Sequence, residues 1–114
     1  MEITGLILAG GRSTRMGDAD KGLQQLHGTP LVQHAIHRLQ PQVSALLLNA
    51  NRNLAQYQAF GIPLCSDETA NFDGPLAGLQ AGLRQCKTPL LATAPCDSPF
   101  FPMNMVQRLH RSLL

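Results

Sequence analysis

With 114 residues, the chain is long enough for one small domain and too short for two. A net charge of +2 is too weak to hold nucleic acid by electrostatics, and no apolar stretch approaches the roughly 18 residues of a membrane span. Charged residues make up only 14% of the chain against a usual level of about 25%, so part of the surface is expected to be covered by a partner chain, as in a homo-oligomer, or by a missing segment.

The first predicted element is a buried strand over Thr4–Ala9, within the apolar run that starts at Ile3. Glu2 precedes this run, there is no basic region before it, and it is too short for a secretory signal core. Gly10-Gly11 ends the run, and Arg12, Arg15 and Lys21 follow closely. Further on, Gly28 supplies a turn, Thr29 an N-cap and Pro30 a first-turn residue for a helix. Leu31, Val32, Ala35, Ile36 and Leu39 give that helix an apolar face, and Pro41 stops it.

Ala45–Asn49 reads as a second strand, wholly apolar until its last residue, as when both sheet faces are covered. Asn51 is expected to cap a short helix burying Leu54, Tyr57 and Phe60; Gly61 ends it, and Ile62–Cys65 forms a third strand. Gly74-Pro75 opens a helix with Leu76, Leu79 and Leu83 in one stripe. Pro89 and Pro95 bracket a fourth strand, Leu90–Ala94, and Pro102 begins a last helix carrying Met105, Val106, Leu109 and Leu113. Apolar runs alternating with helical patterns define an α/β class: a three-layer α/β/α arrangement around a mostly parallel sheet. Residues 1–114 are expected to form a single nucleotide-binding domain, truncated at its carboxyl end, where the chain stops on an apolar helix face. Cys65, Cys86 and Cys96 are odd in number and lack CxxC spacing, which fits reduced thiols in a cytoplasmic protein.

Four residue groups fall at the carboxyl ends of the four predicted strands: Ala9-Gly10-Gly11, Asn49 with Asn51, Asp67 and Asp97. In an open parallel sheet the loops at the carboxyl edge fan apart into a ligand crevice, so residues distant in sequence can meet there. The glycine turn lets backbone N–H groups approach an anion, while Arg15 and Lys21 neutralise and orient a polyphosphate. A nucleoside triphosphate brings Mg2+, a hard ion that takes only one or two protein carboxylates; Asp97, between Pro95 and Pro99, is the candidate ligand. Asp67 can accept the paired donors of a guanine base, and Asn49 can reach ribose or base. The backbone of residues 74–78 offers a side-chain-poor wall for a flat ring.

Simpler readings stand beside these. Gly10-Gly11 alone is an ordinary turn until the cations are added. Asp67 serves equally as a helix cap or turn residue, and Asp97 equally as a loop aspartate. Asn51 reads as a cap. His34 and His37 share a helix face but have no third ligand, and read as surface residues. The loop is neither a P-loop, because Lys21 is separated from Gly17 and followed by Gly22, nor a GxGxxG turn.

The segment LILAGGRSTRMGDADKG resembles the signature of nucleotidyltransferases that use nucleoside triphosphates, a glycosyltransferase-A-like, Rossmann-like group. DKGL at Asp20–Leu23, NANR at Asn49–Arg52, GPLAG at Gly74–Gly78 and PCDSP at Pro95–Pro99 are similar, in that order, to the molybdenum cofactor guanylyltransferase family. The resemblance implies that Leu8, Ala9 and Gly10 touch a guanine nucleotide through backbone, Lys21 contacts phosphate, Asn49 and Asp67 bind the nucleoside part, and Asp97 holds Mg2+. It implies transfer of GMP from GTP to molybdopterin, with Gly11 in the GTP-binding loop and Arg15, Lys21 and Asp97 carrying the catalysis. GTP, molybdopterin and molybdoenzyme-maturation proteins are the implied partners. Family members continue well past PCDSP into the region thought to bind the pterin. Two alternatives remain open: a nucleotidyltransferase acting on a sugar phosphate or small alcohol, and a nucleotide-binding fragment without turnover.

Overall fold

The computed structural model describes residues 2–9, 23–51, 53–66, 75–96 and 104–112. Four parallel strands form the main sheet: β1 (Ile3–Leu8), β4 (Ala45–Asn49), β5 (Leu64–Cys65) and β6 (Leu90–Pro95), in the order β5-β4-β1-β6. β2 (Gln25–Leu26) and β3 (Thr29–Pro30) make a separate two-stranded antiparallel hairpin. The helices are α1 (Leu31–Leu39), α2 (Leu54–Gln58), α3 (Pro75–Gln85) and α4 (Met105–Ser112). The expected α/β architecture is present.

The period-two alternation of β1 decides what lies on each face. Ile3 and Ile7 join one apolar cluster with Val32, Ala35, Ile36 and Leu39 of α1, Tyr57 of α2 and Val106 of α4. Leu6 points the other way, clustering with Leu47, Cys65 and Ala81 of α3. β4 repeats the pattern, with Leu46 and Leu48 on the α1 side and Leu47 on the α3 side. Helices therefore cover both faces, which explains why both strands read as mostly apolar runs, broken only by Thr4 in β1 and by Asn49 at the end of β4.

Helix α1 ends at Leu39, and Pro41 lies in a 3-10 turn over Gln40–Gln42, as its missing N–H requires. The Gln42 carboxamide then joins two helices: Nε2 donates to the Arg38 carbonyl at 2.8 Å, and Oε1 accepts from the Val106 N–H at 2.8 Å. One side chain thus satisfies a carbonyl at the end of α1 and an N–H in the first turn of α4.

Several local expectations are corrected. Thr29 is not an N-cap; it lies in β3, and Pro30 occupies the cap position of α1 without a side-chain cap bond. The hairpin turn is His27-Gly28, with φ of 55° and 80°, the two positive values of a type I′ turn. Asn51 does not cap α2; Asn53 occupies the N-cap position, at a left-handed φ of 55° and without a side-chain cap bond. Leu54 on that helix is exposed, and its buried residue is Tyr57. β5 is two residues shorter than expected.

The largest correction concerns α3. Its Leu83 is 55% exposed, whereas Gly78, Ala81 and Gly82 are buried against the sheet. A Cβ built on Gly82 would meet Leu6, at 3.1 Å from Cδ1, and one on Gly78 would meet Leu8 and Asn49. Each helix-interior glycine costs about 1 kcal/mol relative to alanine. The compensation is close seating of the α3 backbone on β1 and β4.

Candidate functional site

All four main strands point the same way, so their trailing segments leave from one edge. Leu8 pairs with Asn49 on one side and Pro95 on the other, and Asn49 pairs with Cys65. The strands end on one row: Cys65, Asn49, Leu8, Pro95. Bonds continue one residue beyond it. The Ala9 N–H donates to the Asn49 carbonyl at 2.8 Å, the Cys96 N–H to Leu8 at 3.1 Å, and the Ala50 N–H to Cys65 at 3.0 Å. The Ser66 hydroxyl donates to the Ala50 carbonyl at 2.7 Å.

Connection order reverses between β1 and β6. From β1 the chain proceeds through α1 to β4 and through α2 to β5, on one side. It then returns through α3 to β6, on the other side of β1. A crevice opens at the carboxyl ends of two strands whose connections run in opposite directions, and this is where open α/β sheets bind ligands.

Of the expected site residues, Leu8, Ala9 and Asn49 fall within the described part, and the sheet brings them together on the row. Gly10, Gly11, Arg15, Lys21, Asp67 and Asp97 lie outside the described residues. In the sequence, Gly10, Asp67 and Asp97 are the next residues after Ala9, Ser66 and Cys96.

Asn49 is the unusual member of the row. It is 2% exposed, at the end of an otherwise apolar strand and on the α3 face. A buried amide must be hydrogen-bonded to be tolerated, and its Nδ2 donates to the Cys65 carbonyl at 3.4 Å. Gly78 of α3 faces it, with a built Cβ falling 2.7 Å from Asn49 Oδ1. In the sequence Gly78 stands out only as part of a side-chain-poor wall; a glycine inside a predicted helix is the signal that marks a close approach. His34 has a structural role: its Nε2 hydrogen-bonds with the Leu26 carbonyl at 3.0 Å, tying α1 to the hairpin.

Residues 5–114 match the MobA-like NTP transferase domain, and the chain belongs to that family. Two curated relatives are named molybdenum cofactor guanylyltransferase. The protein from Cupriavidus necator is 60% identical over 98% of this chain and 56% of its own length. The protein from Bordetella pertussis is 58% identical over 99% of this chain and 57% of its own length. The chain thus spans a little over half the length of these relatives. Among solved structures, Rv0371c from Mycobacterium tuberculosis superposes with a TM-score of 0.80 at 21% identity, covering 97% of this chain and 60% of that one. A manganese complex of that protein has also been solved and superposes with a TM-score of 0.73 at 18% identity, covering 97% of this chain and 59% of that one. These likenesses show the fold, a mostly parallel sheet with helices on both faces.

Proposed function

We propose that the protein transfers a GMP moiety from GTP to molybdopterin with Mg2+, forming molybdopterin guanine dinucleotide and releasing pyrophosphate, and that residues 1–114 are its single nucleotide-binding domain. The observation that carries this reading is the row at the reversal point, where Leu8, Ala9 and Asn49 of the family-like segments meet. The shared name of the curated relatives supports the choice of acceptor.

In this reading an oxygen of molybdopterin's terminal phosphate attacks the α-phosphorus of GTP, and the bond from that phosphorus to the bridging oxygen of the β-phosphate breaks. Pyrophosphate leaves with the electron pair. Arg15 and Lys21 offset the charge that builds on the phosphate oxygens, and the Gly10-Gly11 turn lets backbone N–H groups reach them. Asn49 and Asp67 hold the nucleoside, and the backbone at Leu8 and Ala9 forms the floor beneath it. Positioning is the protein's main contribution.

Among the described residues there is no group of three or more His, Cys, Asp or Glu side chains. A single carboxylate, Asp97, suits an ion that arrives bound to a triphosphate and keeps most of its ligands as phosphate oxygens and water. Mg2+ so held would supply further stabilisation of charge on the transferring group. No helix among the described residues is long and apolar enough to cross a membrane. The three free cysteines accord with a cytoplasmic setting.

The test is release of pyrophosphate from GTP in the presence of Mg2+ and molybdopterin, with formation of the dinucleotide followed chromatographically. Turnover with a sugar phosphate in place of molybdopterin would assign another acceptor. GTP binding without pyrophosphate release would leave only a nucleotide-binding module.

A further inference from the structure

We propose that Gly78 is a positioning residue for Asn49: the absent side chain on α3 creates the space in which the Asn49 carboxamide is held at the rim, oriented toward the nucleoside. The proposal rests on the reading of Asn49 as a nucleoside contact.

Three observations converge on this. First, Gly78 lies within α3 and has no positive φ, so the helix does not require glycine for its backbone. Second, a Cβ there would fall 2.7 Å from Asn49 Oδ1, closer than such atoms pack, and a tight 3.1 Å from its Cγ. Third, Asn49 has little freedom to retreat. Its backbone is the last β4 rung, paired with Leu8 and Cys65, and its carbonyl accepts from the Ala9 N–H at 2.8 Å. The carboxamide is buried, and its Nδ2 is engaged with the Cys65 carbonyl. An added methyl would therefore have to turn the carboxamide away from Cys65 or lift α3.

The other near neighbour, Leu8 Cδ2 at 2.8 Å, is the end of a flexible side chain and can move by changing rotamer. Gly82, one turn further along α3, provides an internal comparison. A Cβ there would press on Leu6 and not on Asn49. Alanine at either glycine crowds α3 against the sheet, but only alanine at Gly78 acts on the amide at the rim.

The experiment compares Gly78→Ala, Gly82→Ala, Asn49→Ala and the double variant Asn49→Ala/Gly78→Ala in the intact protein. GTP affinity with Mg2+ is measured by titration calorimetry, and the Asn49 side-chain amide is followed by 15N NMR. Gly78→Ala and Asn49→Ala should each weaken GTP by about ten-fold or more, the scale expected when one buried polar group loses its partner. Gly82→Ala should leave GTP affinity within about two-fold, as expected of a site with no shared partner. In the double variant the loss should equal that of Asn49→Ala alone, because the methyl no longer has an amide to displace. The Asn49 amide signal should move in Gly78→Ala and stay in place in Gly82→Ala.

Multiplying losses in the double variant, equal losses for the two glycine variants, or an unmoved amide signal in Gly78→Ala would each overturn the proposal. Wild-type protein that bound no GTP would overturn the functional reading, and with it the role in orienting a nucleoside; the amide signal would still decide whether Gly78 sets the carboxamide. Should Gly78→Ala fail to fold, Gly78→Ala in a Leu8→Val background relieves the contact with Leu8 while keeping a Cβ beside Asn49, and the same readouts apply with Leu8→Val alone as the reference.

Discussion

The backbone N–H of Cys96 donates to the carbonyl of Leu8 at 3.1 Å, one residue past the last rung between β1 and β6. The chain therefore departs toward Asp97 from a point fixed beside the residue that leads into Gly10-Gly11. In the proposed reaction a metal-holding carboxylate and a phosphate-binding turn would meet in one crevice through this bond, although about 85 residues separate them in sequence.

The Asp97→Ala variant should lose the Mg2+-dependent part of GTP binding. Calorimetric affinity with Mg2+ should fall to the value that wild type shows in EDTA, while the melting temperature stays unchanged. Unaltered Mg2+-dependent binding would remove Asp97 from the metal site.

Nucleotide choice should depend on Asp67. Wild type should prefer GTP to ATP and CTP, and Asp67→Ala should reduce that preference by about ten-fold or more, since a base edge left without its partner costs roughly 1–3 kcal/mol. Competition titrations of the three nucleotides provide the check. An unchanged order of affinities would assign base recognition elsewhere.

Gln42 predicts a stability effect far from the rim. Truncation to alanine removes both the bond to the Arg38 carbonyl and the bond from the Val106 N–H. The expected destabilisation is about 1–2 kcal/mol, read from urea unfolding. Gln42→Glu keeps the acceptor for Val106 and loses the donor to Arg38, so it should fall between wild type and alanine.

Cys86 should be the thiol that alkylates first, because it is half-buried while Cys65 and Cys96 are 3% and 6% exposed. Burial pushes its pKa up, but hydrogen bonding with the side chain and backbone of Thr88 and with the side chain of Thr4 outweighs that and holds it below its ordinary value. Its thiolate therefore forms earlier as pH rises than that of a free cysteine peptide, and iodoacetamide rates should show a correspondingly lower midpoint. Thr88→Val removes the side-chain hydrogen-bond partner and should raise that midpoint.

The sheet was legible because parallel strands covered on both faces read as mostly apolar runs, and Ala45–Asn49 matches β4 residue for residue. Helix α1 was legible because its buried face consists of apolar residues at helical spacing, Val32, Ala35, Ile36 and Leu39. The α3 face was misjudged for the opposite reason. Periodicity counts leucines, whereas this helix seats itself through Gly78, Ala81 and Gly82 and leaves Leu83 largely in solvent. The hairpin was missed because Gln25 and Leu26 form too short a strand to show a pattern, and Gly28-Thr29-Pro30 mimics a helix entry. At the strand ends, the predicted bounds bring Ala9 and Asn49 to one edge, whereas Leu8 enters only through the family-like segment. Nothing in the letters reveals that Asn49 is packed against a particular glycine, because that contact arises from helix-to-sheet distance.

β1 is bonded to a neighbour along both edges, and glycines draw it close to its surroundings on both faces: Gly5 toward Leu39 and Leu46, Gly82 toward Leu6, Gly78 toward Leu8. Amide protons along such a strand are the last to exchange with solvent, since releasing them requires the whole sheet to open. Leu8 and Ala9 inherit that stiffness. In the proposed function a nucleotide settling on them would meet a floor already in its final shape, so little binding energy would go into rearranging the protein and small misfits in the arriving base would be felt in full.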